Sequence, residues 1–426
     1  MKTIPTFYYH LIGLLSLALA LPSCIQDTCE ATTTFQAYEP VYVKPADFRH
    51  AIEFEAPKDL ENPGKIYVYQ DILLINERGA GIHLIDNSNP EAPQPFGFLN
   101  IPGNVDMAVR GNMIYADNYV DLVAIDITNP NSPVFAGRTE EAIPSHSFDE
   151  EQGYLVRYEE VPMTEEVDCD SYTGNSFWRD GTLFIDVAAG GVAQDFANES
   201  AGQAQDVGVG GSMARFTLAQ DHLYVVDEHR LHVFGLSATP EPEKINVVDI
   251  GWGIETIFPY GDKLFIGAAN GMYIFDNSVP TAPEQLSVFR HATACDPVFV
   301  DGNIAYVTLR NGTECETFTN QLDVVDVTNL TDPVLINSFS MHNPHGLSKL
   351  HNALYICENE QGVKIFDATD PATVGNEQIG KMTGFQAYDI ITLQGNLAIV
   401  IGDNGLYQYD ISNPEAPRRL SNLLSL

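Results

Sequence analysis

"GLYQYDISNPEAP", residues 405 to 417, is the phrase on which the fold turns. It returns as "GIHLIDNSNPEAP" from Gly81 and "DLVAIDITNPNSP" from Asp121. Looser relatives start at Leu231 ("LHVFGLSATPEP"), Gly271 ("GMYIFDNSVPTAP"), Gln321 ("QLDVVDVTNLTDP") and Gly362 ("GVKIFDATDPAT"). The equivalent positions are Pro90, Pro130, Pro240, Pro280, Leu330, Pro371 and Pro414, in steps of 40, 110, 40, 50, 41 and 43 residues. A period of 40 to 43, interrupted by one large and one small insertion, marks a repeat fold.

Working outward from the phrase, residues 104 to 144 read as "VDMAV", "MIYAD", "LVAIDI" and "PVFAGRT", separated by Gly, Asn, Asp and Pro turns. These are four short strands, the third almost continuously apolar, as when both faces of a sheet are covered. Four strands in about 42 residues, repeated radially, predict a β-propeller blade. The expectation is therefore an all-β chain, a seven-bladed β-propeller of four-stranded antiparallel blades. The blades are placed at 64–103, 104–144, 212–253, 254–294, 295–344, 345–386 and 387–424. Residues 145–211 form an insertion whose first part reads as a strand or hairpin and whose Gly- and Ala-rich end reads as a flexible loop. Residues 24–63 are an N-terminal tether. Either "RRLSNLLSL" from Arg418 completes the last blade, or "YEPVYVK" from Tyr38 adds a ring-closing strand.

The apolar-apolar-Ile/Val-Asp strand followed by Asn-Pro-x-x-Pro resembles the LVIVD repeat of secreted bacterial β-propellers, often lipoproteins of Bacteroidetes-type bacteria. The resemblance departs at Leu330 and at Phe234-Gly235, which replace the Pro and the Ile/Val-Asp. It implies a cell-envelope location and no particular reaction.

Leu11 to Leu21 is an apolar run too short to span a bilayer, and it ends in "LPSC", residues 21 to 24. That ending resembles a lipobox, with Pro22 a departure, and the resemblance implies loss of residues 1–23 and lipidation of Cys24. The expected location is the bacterial envelope, at the outer membrane. With 58 acidic and 21 basic residues the formal charge is −37, which repels a phosphate backbone and makes nucleic acid a poor partner. Five cysteines follow Cys24: Cys29, Cys169, Cys295, Cys315 and Cys357. In an oxidising compartment Cys295 and Cys315 are candidates for a disulfide across the extended loop of the fifth blade, with Cys357 the competing partner.

Propeller first strands surround a central channel. Counting back seven from Asp262, Asn303, Asn352 and Asn396 gives Glu255, Asp296, His345 and Asp389; Asp106 stands one place off this register, with Arg215 nearby. Such a ring could hold a divalent cation. Equally, an Asp repeated at blade junctions serves to satisfy backbone N–H groups. In "SMHNPHGL", residues 340 to 347, His345 falls in the ring and His342 in the outgoing connection. The sequence thus supports a non-enzymatic binding or scaffold module for a protein or glycan. A metal-dependent enzyme working through the ring and an adhesin-like surface protein are the alternatives.

Overall fold

The computed structural model describes residues 30–49, 52–143, 147–168, 176–179, 182–186, 209–236, 240–290, 297–310, 320–402 and 405–424. Cys24, Cys29, Cys169, Cys295, Cys315 and Asp296 lie outside them. The chain divides into two compact units, residues 41–157 with 192–426, and residues 1–40 with 158–191.

In the larger unit seven antiparallel sheets follow the repeat, at 63–100, 107–139, 216–249, 254–289, 298–340, 347–382 and 389–424. Six are four-stranded in simple sequence order. The first gains Glu53–Glu55 beside Gln94–Asn100 and Val209–Gly210 beside Pro63–Tyr69. Arg418–Leu424 pairs with Gly405–Asp410 and so completes the last sheet from the C-terminal side.

The repeated phrase has a local cause. Asp86, Asp126, Asp276, Asp326, Asp367 and Asp410 each end the third strand of their sheet, and each Oδ1 accepts the backbone N–H two residues on, at 2.7–3.0 Å. Such Asx turns stop the strand and launch the bend that Asn-Pro continues. Bonding to that Ser or Thr holds these carboxyls below their ordinary range. The third sheet has Gly235 in this place and makes no such bond, which matches its departure from the pattern. Between third and fourth strands every one of the seven sheets carries a register shift, for example between Leu84 and Ile85 and between Gln408 and Tyr409. A bulge at a fixed place bends and twists each outer strand in the same way. Gly81 and Gly271 open third strands at φ 147° and 150°, and a Cβ there would collide with the carbonyl oxygens of Leu99 and Phe289.

The core is divided between neighbouring sheets. Ile257, Ile266 and Phe275 of the fourth sheet pack with Tyr224 and Val233 of the third, and Leu347 and Ile356 of the sixth pack with Tyr306 and Val324 of the fifth. Ile391, Ile399, Ile401 and Leu406 of the seventh sheet pack against Ile66, Val68, Leu73 and Ile75 of the first. The first strands touch in the same order and the last meets the first. The coarse architecture is thus all-β and propeller-like.

In the smaller unit Glu30–Val43 pairs with Thr182–Asp186, Phe35 opposite Asp186, and Ser176–Arg179 pairs on the far side of that strand. The N-terminal strand is therefore taken up by the insertion. Gly153–Asp168 is a strand, and residues 187–208 lie outside the described part. The end of the expected flexible loop is instead ordered. Val209 and Gly210 pair with Val68 and Tyr67, and Ser212 and Met213 are buried.

Candidate functional site

The strand registers fix which residues share the inner rim. In six sheets a two-residue turn joins the first two strands, as where Arg110 faces Met113 and Leu350 faces Ala353. In the seventh the turn has three residues, Leu393 facing Leu397. The common rim position therefore lies six residues before the end of a short turn and seven before the end of the long one. Those positions are Lys65, Asp106, Arg215, Thr256, Pro297, Gly346 and Asp389. This corrects the uniform count of seven. Asp106 and Asp389 share the rim, whereas His345 precedes Gly346 and Glu255 precedes Thr256. A one-residue slip moves a side chain to the opposite face of its strand. Glu255 also falls at a register shift between Ile254 and Thr256 and is half-buried. The rim thus carries two acids and two basic residues.

Asp106 works as a junction. Its Oδ1 accepts Met107 N–H at 2.7 Å, and its Oδ2 accepts the N–H groups of Arg215 (2.7 Å) and Phe216 (3.0 Å). Lys65 Nζ stands 3.0 Å from the same oxygen, and both side chains are buried. One carboxylate thereby ties the first, second and third sheets, and the ammonium occupies the place a bound cation would take. Among the described residues no three His, Cys, Asp or Glu side chains gather closely enough to hold a metal ion.

Asp389 is the counterpart at the other end of the ring order. Ser212 Oγ donates to its Oδ1 at 3.3 Å, and the same hydroxyl oxygen accepts Leu347 N–H at 2.6 Å. A Cβ on either Gly211 or Gly346 would collide with the Asp389 carboxylate. Ala214 accepts Ile257 N–H at 2.8 Å. Residues 209–215 thus cross the middle of the unit and touch the first, seventh, sixth, fourth and second sheets in turn. Burial pushes the Asp389 carboxyl up to about 7, against the opposing pull of Ile390 N–H and Ser212.

His345 is buried and neutral. Its Nδ1 accepts from Arg310 Nη1 at 2.7 Å, its carbonyl accepts Thr308 Oγ1 at 2.8 Å, and its ring lies 5.3 Å from Tyr388. Burial, then the charges of Arg310 and Arg78, hold it well below the ordinary imidazole range. His342 stays in the outgoing loop, where Glu358 Oε2 accepts both His342 N–H and Asn343 N–H at 2.8 Å. Cys357 is a free, buried thiol in the apolar layer between the sixth and seventh sheets, with Val363, Ala387 and Ile390.

One cavity among the described residues was not legible as a motif. It measures about 780 Å³ and opens among the rim ends of the first three sheets and the segment at Leu155–Arg157. Five basic residues line it: Lys65, Arg78, Arg157, Arg215 and Arg230. Its floor is a fixed polar network. Asn76 Nδ2 donates to Asn104 Oδ1 (2.8 Å), Asn104 Nδ2 donates to Asp117 Oδ1 (2.7 Å), and that oxygen also accepts Val105 and Asp106 N–H at 2.9 Å. Burial raises the Asp117 carboxyl to about 6. Burial alone would raise Asp227 too, but the His232 ring at 2.7 Å and the N–H of His229 bring it down to about 2. Counting six back from Asp71 would have found Lys65. Nothing local links Arg78, Arg157 and Arg230 to a site, and the only signal is their rarity in so acidic a chain.

Comparison with known proteins places the LVIVD repeat at residues 103–140, 293–340 and 387–422, so the chain carries LVIVD repeats. No curated protein matches it. Among solved structures it is similar to the computationally designed Ika8 protein, at 9% identity, 86% of this chain, 90% of that one and a TM-score of 0.49. It is also similar to Hsv2 of Kluyveromyces lactis (9%, 85% and 98%, 0.46). A functionally unknown protein from Desulfotomaculum acetoxidans is a third (11%, 84% and 95%, 0.49).

Proposed function

We propose that this LVIVD-repeat chain is a seven-bladed β-propeller serving as a non-enzymatic binding module of the bacterial envelope. It is held at the outer membrane by lipid on Cys24 and presents its rim face to a protein or glycan. Seven blades are supported by the seven repeat sheets and by the packing of the seventh sheet onto the first. The observation that carries the binding reading is the cavity itself. It is roomy enough for a small ligand and is walled by side chains already held in hydrogen bonds, as preformed sites are. The presence of Lys65 and Arg215 on the rim favours the binding reading over a metal-dependent one.

Two measurements test this. Metabolic labelling with an alkyne fatty acid should mark the full-length protein and not Cys24→Ala; equal labelling of both, or of neither, overturns the anchor. Glycan arrays and crosslinking in envelope fractions should return a specific partner displaced by excess free protein. Failure of both to return one overturns the binding module.

A further inference from the structure

Resting on that binding reading, we propose that the cavity takes a hydroxylated organic acid, with a uronic acid of mono- to disaccharide size as the ligand class. Five of the chain's 21 basic residues sit among 24 lining residues, where average composition would place about one. Acids outnumber basic residues 58 to 21 overall, yet four acids face five basic residues here. An anion approaching so acidic a protein is repelled by its net charge and favoured where basic residues gather.

The local pairing points the same way. Asp106 is committed to Lys65 and to three N–H groups, and Asp227 to His232 and Arg230. Arg78 makes no ion pair among the described residues and is half-buried at the cavity wall. Room for it comes from Gly64, where a Cβ would stand 3.0 Å from Arg78 Cγ and collide with the Asn76 amide. A guanidinium kept partly out of water beside a cavity presents a planar fork matched to a carboxylate.

The rest of the lining fits a sugar. Tyr119 adopts φ 57°, rare for a residue with a side chain, and its ring lies 5.2 Å from that of Phe48 in an edge arrangement. Gly103 is required beneath it, since a Cβ there would collide with the Tyr119 ring. That φ belongs to the two-residue hairpin turn between Asn118 and Asp121, which fixes the ring at the cavity. An aromatic face and the exposed Asn62 amide complete a surface for a hydroxylated body that carries carboxylate.

The test is calorimetric titration of the full chain with digalacturonate, with its methyl ester, and with inorganic phosphate. Digalacturonate should bind, more weakly as salt is raised, and the ester, which keeps the shape and loses the charge, should bind at least about tenfold more weakly. Arg78→Gln should lose about tenfold or more for the acid with an unchanged melting temperature, because Arg78 anchors no ion pair among the described residues. Phosphate should not compete at equal concentration. Binding of the ester as tightly as the acid, an unaffected Arg78→Gln, tighter binding of phosphate, or no binding of digalacturonate overturns the proposal. None of these touches the binding-module reading, which stands or falls on capture from the envelope.

Discussion

Replacing Asp389 by Asn removes one charge and almost no volume, and its effect on stability should depend on pH. The carboxyl titrates near 7 in the folded protein because burial disfavours its ionised form, against an ordinary value of 3.8. A raised folded value means that the native state keeps a proton the unfolded chain has released. The wild type is therefore most favoured below pH 4, and it loses this advantage as pH rises to about 7. Between pH 5 and pH 8 nearly two units of the ~1.4 kcal/mol per unit slope are traversed, so the wild type should lose about 2.5 kcal/mol relative to Asp389→Asn. Other titrating groups, including Asp117, cancel in the comparison of the two proteins. Urea unfolding at pH 5 and pH 8 reads the difference. With a slope m at or above the ~3 kcal/mol/M of small proteins, the gap between midpoints should move by at most about 0.8 M in favour of the variant at the higher pH. A gap that stays constant, or moves the other way, would refute the assignment of Asp389 as a buried carboxyl strained by ionisation.

Asp106→Asn should cost about 3–5 kcal/mol, since it leaves the buried Lys65 ammonium without its partner, and Lys65→Met combined with it should recover most of that loss in thermal melts. A double variant as unstable as the single one would contradict the junction role. Gly346→Ala should destabilise by about 1–3 kcal/mol through collision with the Asp389 carboxylate, and Asp389→Ala should relieve it; additive losses would count against that contact. Burial drives the Cys357 thiol well above its ordinary range, so iodoacetamide should leave it unmodified in the folded protein, as judged by peptide mass spectrometry. Rapid labelling without unfolding would show that the layer between the last two sheets is open.

The repeat was legible because its causes are local. An Asp that accepts an N–H two residues away, then Asn-Pro, sits within one turn of chain, so the same letters recur wherever the same bend recurs. What escaped was register. The uniform count placed Glu255, Asp296, His345 and Asp389 on one rim, but the turn at 394–396 is one residue longer than the others, and that alone exchanges a face. Junction Asp residues were foreseen in kind, and Asp106 and Asp389 serve in that way, but Gly211, Ser212 and Arg215 as their partners were not. The Gly-rich end of the insertion looked like loose chain, because small residues signal flexibility as readily as close approach. Asp389 shows which applies here, as only a residue without a Cβ fits against it.

By itself the sequence determined the all-β class, the four-strand unit, the place of the insertion and the acidity of the whole. Each of these depends on residues adjacent in the chain or on composition. Tertiary structure alone decided that Lys65 neutralises Asp106 and that residues 209–215 run through the middle. It also decided that Arg78, Arg157 and Arg230, far apart in sequence, meet at one cavity. The physical reason is that a side chain's direction depends on strand register and its neighbours on sheet packing, and both are set only when every sheet has found the next.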